Sequence, residues 1–263
     1  MSAVRRGSTL PLLLLAGAAV AGSCTDVSTS PTKAIAISFD TLPFPAVVTG
    51  DTLRDSLGRV APLHALAINS SNAVIANAGI TYLALDTGLT IDASGVLTAQ
   101  LRNGVVRLVA SVNGLQSVTK SITITRRPDT VFATAKPSDT LHYALPDNAT
   151  SNVFAGLGVR VLTNDTSGGI TTAQGWLVSY QALFHGVPLP PSDTTLASLW
   201  DAGGKVSVVD TTRDGLAGRR LRVRPQAPGF TAAESLIVLV TVRYRGAQLR
   251  GSPVRFVVHT RPR

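Results

Sequence analysis

Glutamate is nearly missing from this 263-residue chain: Glu234 stands alone beside 14 Asp. Methionine and cysteine each occur once, lysine four times, and charged residues make only 15% of the total. These shortages remove most residues that favour helix surfaces and interiors, whereas Val and Thr number 29 each. A helical bundle or coiled coil is excluded, and the several long amphipathic helices of a doubly wound enzyme would be hard to build. With a single cysteine, Cys24, no internal disulfide can form. Aromatic residues reach 5%, too few for rows of base-stacking platforms. The composition therefore predicts an all-β protein.

The apolar run from Leu10 to Ala21 follows Arg5 and Arg6 and is too short to cross a bilayer core of ~30 Å as a helix. It reads as a signal peptide over residues 1–23. Its end, Ala21-Gly22-Ser23-Cys24, resembles a bacterial lipobox, which implies lipidation of Cys24 and cleavage before it. Ala19-Val20-Ala21 offers ordinary signal peptidase an alternative site, which would leave the protein periplasmic or secreted. A lipid anchor accounts for a lone cysteine placed beside a Ser/Thr/Pro stretch, where no held histidine would activate a thiol. Thr25, rather than Asp, follows Cys24 and favours the outer membrane over the inner. No later apolar run reaches ~18 uncharged residues, so no transmembrane helix is expected in the mature part.

Residues 24–33 read as a tether. After them, short Val/Ile/Leu/Thr runs alternate with Gly, Asn, Asp and Pro, as in a β-sandwich. Asn103-Gly104 and Asn113-Gly114, each beside a β-branched run, predict two hairpins. Arg126-Arg127-Pro128-Asp129 reads as a linker between one domain at 34–125 and a second at 130–263, whose proline-containing 181–200 stretch reads as a long loop. Trp176, Val178 and Tyr180 share one strand face, as core residues of a sandwich do.

Ile80 to Ile124, ITYLALDTGLTIDASGVLTAQLRNGVVRLVASVNGLQSVTKSITI, resembles the second half of bacterial Ig-like domains of group 2, the BIG2 or invasin/intimin-like type. Ile91 to Ala99 follows that family's V-D-x-x-G-x-V-T-A pattern, and Asn103-Gly104 to Ala110 its next strand. Upstream, Thr49-Gly50-Asp51-Thr52 and Asp55-Ser56-Leu57-Gly58 resemble the family's turns, with Tyr82 where a central Trp is usual. The ending YRGAQLRGSPVRFVV, Tyr244 to Val258, resembles the last hairpin of filamin-like and other Ig-like repeats. The resemblance implies two tandem Ig-like β-sandwich domains behind a lipoprotein signal peptide. It further implies a structural, adhesive or surface-binding role in the cell envelope.

No nucleophile elbow, zinc-binding helix motif, P-loop or dinucleotide fingerprint occurs, so no catalytic residue and no cofactor is expected. His64, His142, His185 and His259 are scattered and read as isolated residues rather than metal ligands. The Asp-rich runs 92–95, 164–168 and 210–215 lack the alternating carboxylates of a Ca²⁺ loop and read as turns, with no metal. An envelope hydrolase using Asp193 and Asp201 is a third, weaker reading.

Charge is unevenly spread. Cys24 to Thr125 is neutral, while Arg126 to Arg263 carries 16 basic and nine acidic residues. Arg220, Arg222 and Arg224 alternate with Leu221 and Val223 and so share one strand face. Arg243, Arg245 and Arg255 on neighbouring strands are expected to extend that stripe into a candidate polyanion site for lipopolysaccharide or acidic glycan. The plainer reading is a solvated outer sheet face. Partners are thus a membrane through the anchor and a surface polysaccharide or protein, with no specific nucleic acid.

Overall fold

The computed structural model describes residues 33–100, 103–146, 149–164, 170–191, 195–230 and 233–263. Cys24, with the leader and most of the tether, lies outside them. The described chain is built of strands with one short 3₁₀ turn at Thr150–Asn152, as the Val/Thr-rich, Glu-poor composition predicts.

The N-terminal sandwich contains β1 (Ala36–Phe39), β2 (Ala46–Val48), β3 (Ala65–Ile68), β4 (Thr81–Ala84) and β5 (Leu89–Ile91). It continues with β6 (Leu97–Ala99), β7 (Gly104–Val112), β8 (Leu115–Gln116) and β9 (Lys120–Thr125). One layer runs β2-β9-β7-β4, with β8 beside β7, and the pairs β1-β3 and β5-β6 lie opposite it. Leu53, Leu97, Leu108 and Ile122 fill the space between and are fully buried.

The second sandwich comprises β10 (Pro128–Ala133), β11 (Ser138–Tyr143), β12 (Val153–Asn164), β13 (Ile170–Thr172), β14 (Leu177–Phe184), β15 (Val187–Pro188) and β16 (Ala197–Trp200). It ends with β17 (Val209–Thr211), β18 (Leu216–Val223), β19 (Glu234–Thr241), β20 (Arg243–Tyr244), β21 (Ala247–Gln248) and β22 (Val254–Pro262). Its sheets are β10-β12-β18-β16 and β11-β22-β19-β14-β15. In chain order these are the A-B-E-D and G-F-C arrangements of the immunoglobulin sandwich. Alternation drives the packing: in β19, Leu236, Val238 and Val240 are fully buried while the residues between them are not. In both sandwiches an early strand pairs in parallel with the last one, β2 with β9 and β11 with β22.

The IDASGVLTA stretch forms the β5-β6 hairpin. The Asp92 carboxylate accepts the backbone N–H groups of Ser94 and Val96 at 2.9 Å each, and Gly95 has a φ of 82°. Asn113 and Gly114, with φ of 50° and 82°, make the tight turn from β7 to β8.

Asn103-Gly104 behaves differently from expectation. It precedes β7, which lies between β4 and β9, whereas β6 pairs with β5, so no hairpin joins β6 to β7. The 181–200 stretch is also more ordered than a long loop: β14 runs to Phe184, turns at His185-Gly186 into β15, and β16 occupies 197–200. Pro188 is tolerated because β15 is an edge strand, where a missing donor breaks no ladder. For the same reason Pro128 opens edge strand β10 inside the stretch read as linker.

Candidate functional site

Two places gather charged residues: the outer face of the β10-β12-β18-β16 sheet and the junction between the sandwiches. On β18, Ala217, Arg219, Leu221 and Val223 point inward and are buried, so Arg220 and Arg222 point outward. The Arg222 guanidinium lies 4.7 Å from the centre of the Trp200 ring, whose Nε1 donates to Ser198 Oγ at 2.8 Å. Arg224 follows directly, its N–H donating to the Leu196 carbonyl at 2.8 Å. Sequence alternation thus places Arg220 and Arg222 on one face.

The other three arginines do not join them. Arg255 on β22 sits opposite Leu239, on the outer face of the other sheet. Arg243 and Arg245 belong to the β20-β21 hairpin, which leaves the sandwich to meet the N-terminal domain. Parity along a strand assigns a face but cannot say which sheet the strand enters, hence the split. Arg219, adjacent in sequence, faces the core: its Nη1 lies 3.1 Å from Asp210, and its guanidinium stands over the Tyr180 ring at 5.9 Å. Burial pushes the Tyr180 phenol well above its ordinary pKa, with the Asp210 charge adding to the rise and Arg219 opposing it.

At the junction, Asp51 is the centre. Its carboxylate accepts Arg245 Nε and the Tyr244 hydroxyl from the second domain at 2.9 and 3.1 Å, and the Thr52 N–H from its own at 2.8 Å. Burial pushes the Asp51 carboxyl up, but hydrogen bonds from Arg245, Thr52, Arg54 and Tyr244 outweigh it and hold the pKa at about 2. Trp176 caps the same contact, 4.8 Å from the Phe44 ring and 6.0 Å from Tyr244, with its Nε1 donating to the Arg243 carbonyl at 3.0 Å. The expected core tryptophan is buried, and much of what buries it belongs to the junction. Arg127 stacks over Tyr244 at 5.3 Å. Backbones approach too closely for side chains: a Cβ on Gly58 would lie 2.2 Å from the Arg245 carbonyl carbon, and one on Gly246 2.5 Å from the Leu57 oxygen. Beside this clasp is a cavity of about 350 Å³ between the Asp51–Ser56 loop and Ser179, Gln181 and Thr241.

Chemistry-bearing groups elsewhere are dispersed. His64 pairs with Asp40 at 2.6 Å and His185 with Glu234 at 2.9 Å. His259 lies between Ser138 and Ser235, at 3.2 and 2.8 Å, on a sheet's outer face. Among the described residues no group of three or more His, Cys, Asp or Glu is placed to hold a metal ion. Asp92 works in its turn, and Asp210 is engaged by Arg219 and by the Gly218 N–H at 2.8 Å. Asp201 accepts the Lys205 N–H at 2.9 Å in a turn. Asp193 and most of the 164–168 run lie outside the described residues.

No protein-family model matches this chain, and no curated protein matches it. Solved structures do resemble it. The Yersinia pseudotuberculosis adhesin InvE is 12% identical with a TM-score of 0.32, over 85% of this chain and 58% of that one. Domains 4 and 5 of the S-layer protein SbsC are 12% identical with a TM-score of 0.30, over 86% and 96%. The D0-D1 domain of intimin is 12% identical with a TM-score of 0.28, over 87% and 98%.

Proposed function

We propose that this chain is an exported, lipid-anchored protein of the bacterial cell envelope, with a structural or adhesive role and no enzymatic one. The observation that carries this reading is the junction: Asp51, Arg245, Tyr244 and Trp176 clasp one Ig-type sandwich to the next. Such a clasp suits a module that presents or spaces surfaces, since it fixes one domain against another. The short apolar leader before Cys24 supplies the address, and a lipid on Cys24 the anchor. Sandwich faces and loops, rather than a catalytic cleft, would carry any contact.

Mass spectrometry of the mature N-terminus tests the anchor. A diacylglyceryl-modified Cys24 at the first position, lost together with membrane association in Cys24→Ser, is expected. An N-terminus at Gly22 with an unmodified thiol would instead make the protein periplasmic or secreted.

A further inference from the structure

The outer face of the β10-β12-β18-β16 sheet has a pattern that the sequence only half shows. Val159 and Val161 are buried, so Gly158 and Arg160 on β12 point outward, as do Gly218, Arg220 and Arg222 on β18. Strand register then sets their rows. Arg160 stands between Phe132 and Leu216, Gly158 opposite Gly218, and Arg220 opposite Trp200. No Asp or Glu lies in β12, β16 or β18; Asp129 stands at the bulge of β10, and Asp210, which accepts the Gly218 N–H at 2.8 Å, is paired with the inward Arg219. Arg160, a member that parity within β18 could not reveal, brings the face to four arginines when Arg224 is counted.

The rows make a shallow trough. A Cβ built on Gly218 would meet only the Gly158 Cα, at 3.8 Å, whereas one on Gly158 would lie 2.4 Å from Thr134 Oγ1, so the middle row is low at Gly218 and edged by the Thr134 hydroxyl at Gly158. The Arg160 row and the Arg220 row stand four residues apart along β18, about 13 Å at ~3.3 Å per residue. Cations therefore line both sides. Among the described residues Arg160, Arg220 and Arg224 have no carboxylate within ion-pair distance. One guanidinium group is also held in advance. Arg222 rests on Trp200, and Nε of Arg160 and of Arg224 is buried with no hydrogen-bond partner. A side chain already fixed loses less freedom when a ligand arrives.

We propose that this face binds an anionic polysaccharide, with Arg160, Arg220, Arg222 and Arg224 contacting its carboxylate or sulfate groups across the low point at Gly218. A guanidinium fork matches such oxyanions. The exposed Phe132 and Leu216 offer apolar surface to sugar C–H groups. Nucleic acid fits less well, because Trp200 is engaged by Arg222 and Phe132 alone cannot stack successive bases. The inference rests on the envelope reading only for where such a polymer is met.

The test uses the purified mature protein with heparin and polygalacturonate as probes and dextran as the uncharged comparison. Two variants remove equal charge: R160Q/R220Q/R222Q/R224Q on this face, and R213Q/R255Q/R261Q/R263Q elsewhere. Binding that weakens with salt is expected, with at least a tenfold loss in the first variant and less than about threefold in the second. The slope of log affinity against log salt should shrink by about three to four in the first alone. Equal losses in both variants, equal binding to dextran, or tighter binding to a single-stranded oligonucleotide would overturn the proposal. Should the first variant melt early, R220Q and R224Q singly, each expected to lose a severalfold part of the affinity, decide the matter. The N-terminal mass measurement is untouched by any of these results, so the anchor and the binding face can fail separately.

Discussion

Arg245 grips Asp51 with both arms of its guanidinium: Nη2 lies 2.9 Å from Oδ1 and Nε 2.9 Å from Oδ2. The two residues come from different sandwiches, and the Asp51 side chain is only 9% exposed. Replacing Asp51 by Ala leaves Arg245 and the Tyr244 hydroxyl without their acceptor. A loss of about 2 kcal/mol is expected from the size of hydrogen bonds to charged groups, read by urea unfolding. An unchanged midpoint would show that the clasp contributes nothing to stability.

Acid should loosen the same contact. The Asp51 carboxyl titrates at about 2 in the folded protein, below its ordinary value near 3.9. Its stabilising effect is complete above that ordinary value and disappears as pH falls through about 2. Asp86, held at about 2 by Arg107, acts in the same direction. Thermal midpoints measured from pH 5 to pH 2 should fall, and Asp51→Asn should make the fall shallower. Identical slopes in the two proteins would rule out Asp51 as a source.

Trp176 tests whether the junction is a packed interface or a loose touch. Trp176→Ala is expected to cost about 3–5 kcal/mol by emptying the space between Phe44 and Tyr244. Trp200, the remaining tryptophan, then reports the second sandwich alone by fluorescence. Its midpoint should part from that of far-UV circular dichroism, which follows both sandwiches, in the variant, whereas the two midpoints coincide in the parent.

Two glycines separate backbone strain from close approach. Gly186 and Gly246 have φ of 81° and 79°, but only Gly246 faces the other domain, and a Cβ at Gly186 would meet nothing. Gly186→Ala should cost about 1 kcal/mol through strain alone. Gly246→Ala should cost more and should speed tryptic cleavage after Arg126, since it drives the hairpin from the Leu57 carbonyl. Equal cleavage rates in the two variants would count against a tight junction.

Much of the fold could be read from residue order because the signals were local. Asn113-Gly114 specifies its own turn, Asp92 and Gly95 specify theirs, and alternation places Arg220 and Arg222 on one face. Signals that depend on partners were not legible. Asn103-Gly104 looks like a hairpin until β6 and β7 are seen in different sheets. Arg160 joins Arg220 only through the β12-β18 register, and Arg255 departs only because β22 enters the opposite sheet. Pro128 and Pro188 hid strands because edge position, which excuses a proline, is a property of the sheet. The clasp was invisible, since Asp51 and Arg245 are 194 positions apart.

The parallel pairings of β2 with β9 and of β11 with β22 also set the response to tension. A pull that draws the start of β11 away from the end of β22 acts along both strands in opposite senses. The bonds from Ser138–Val257 to Tyr143–Pro262 are then sheared together instead of being peeled one after another. The shorter Ala46–Thr123 to Val48–Thr125 ladder is loaded in the same way. A chain held at one end and tugged at the other would therefore meet, in each sandwich, a lock that yields only when a whole ladder breaks.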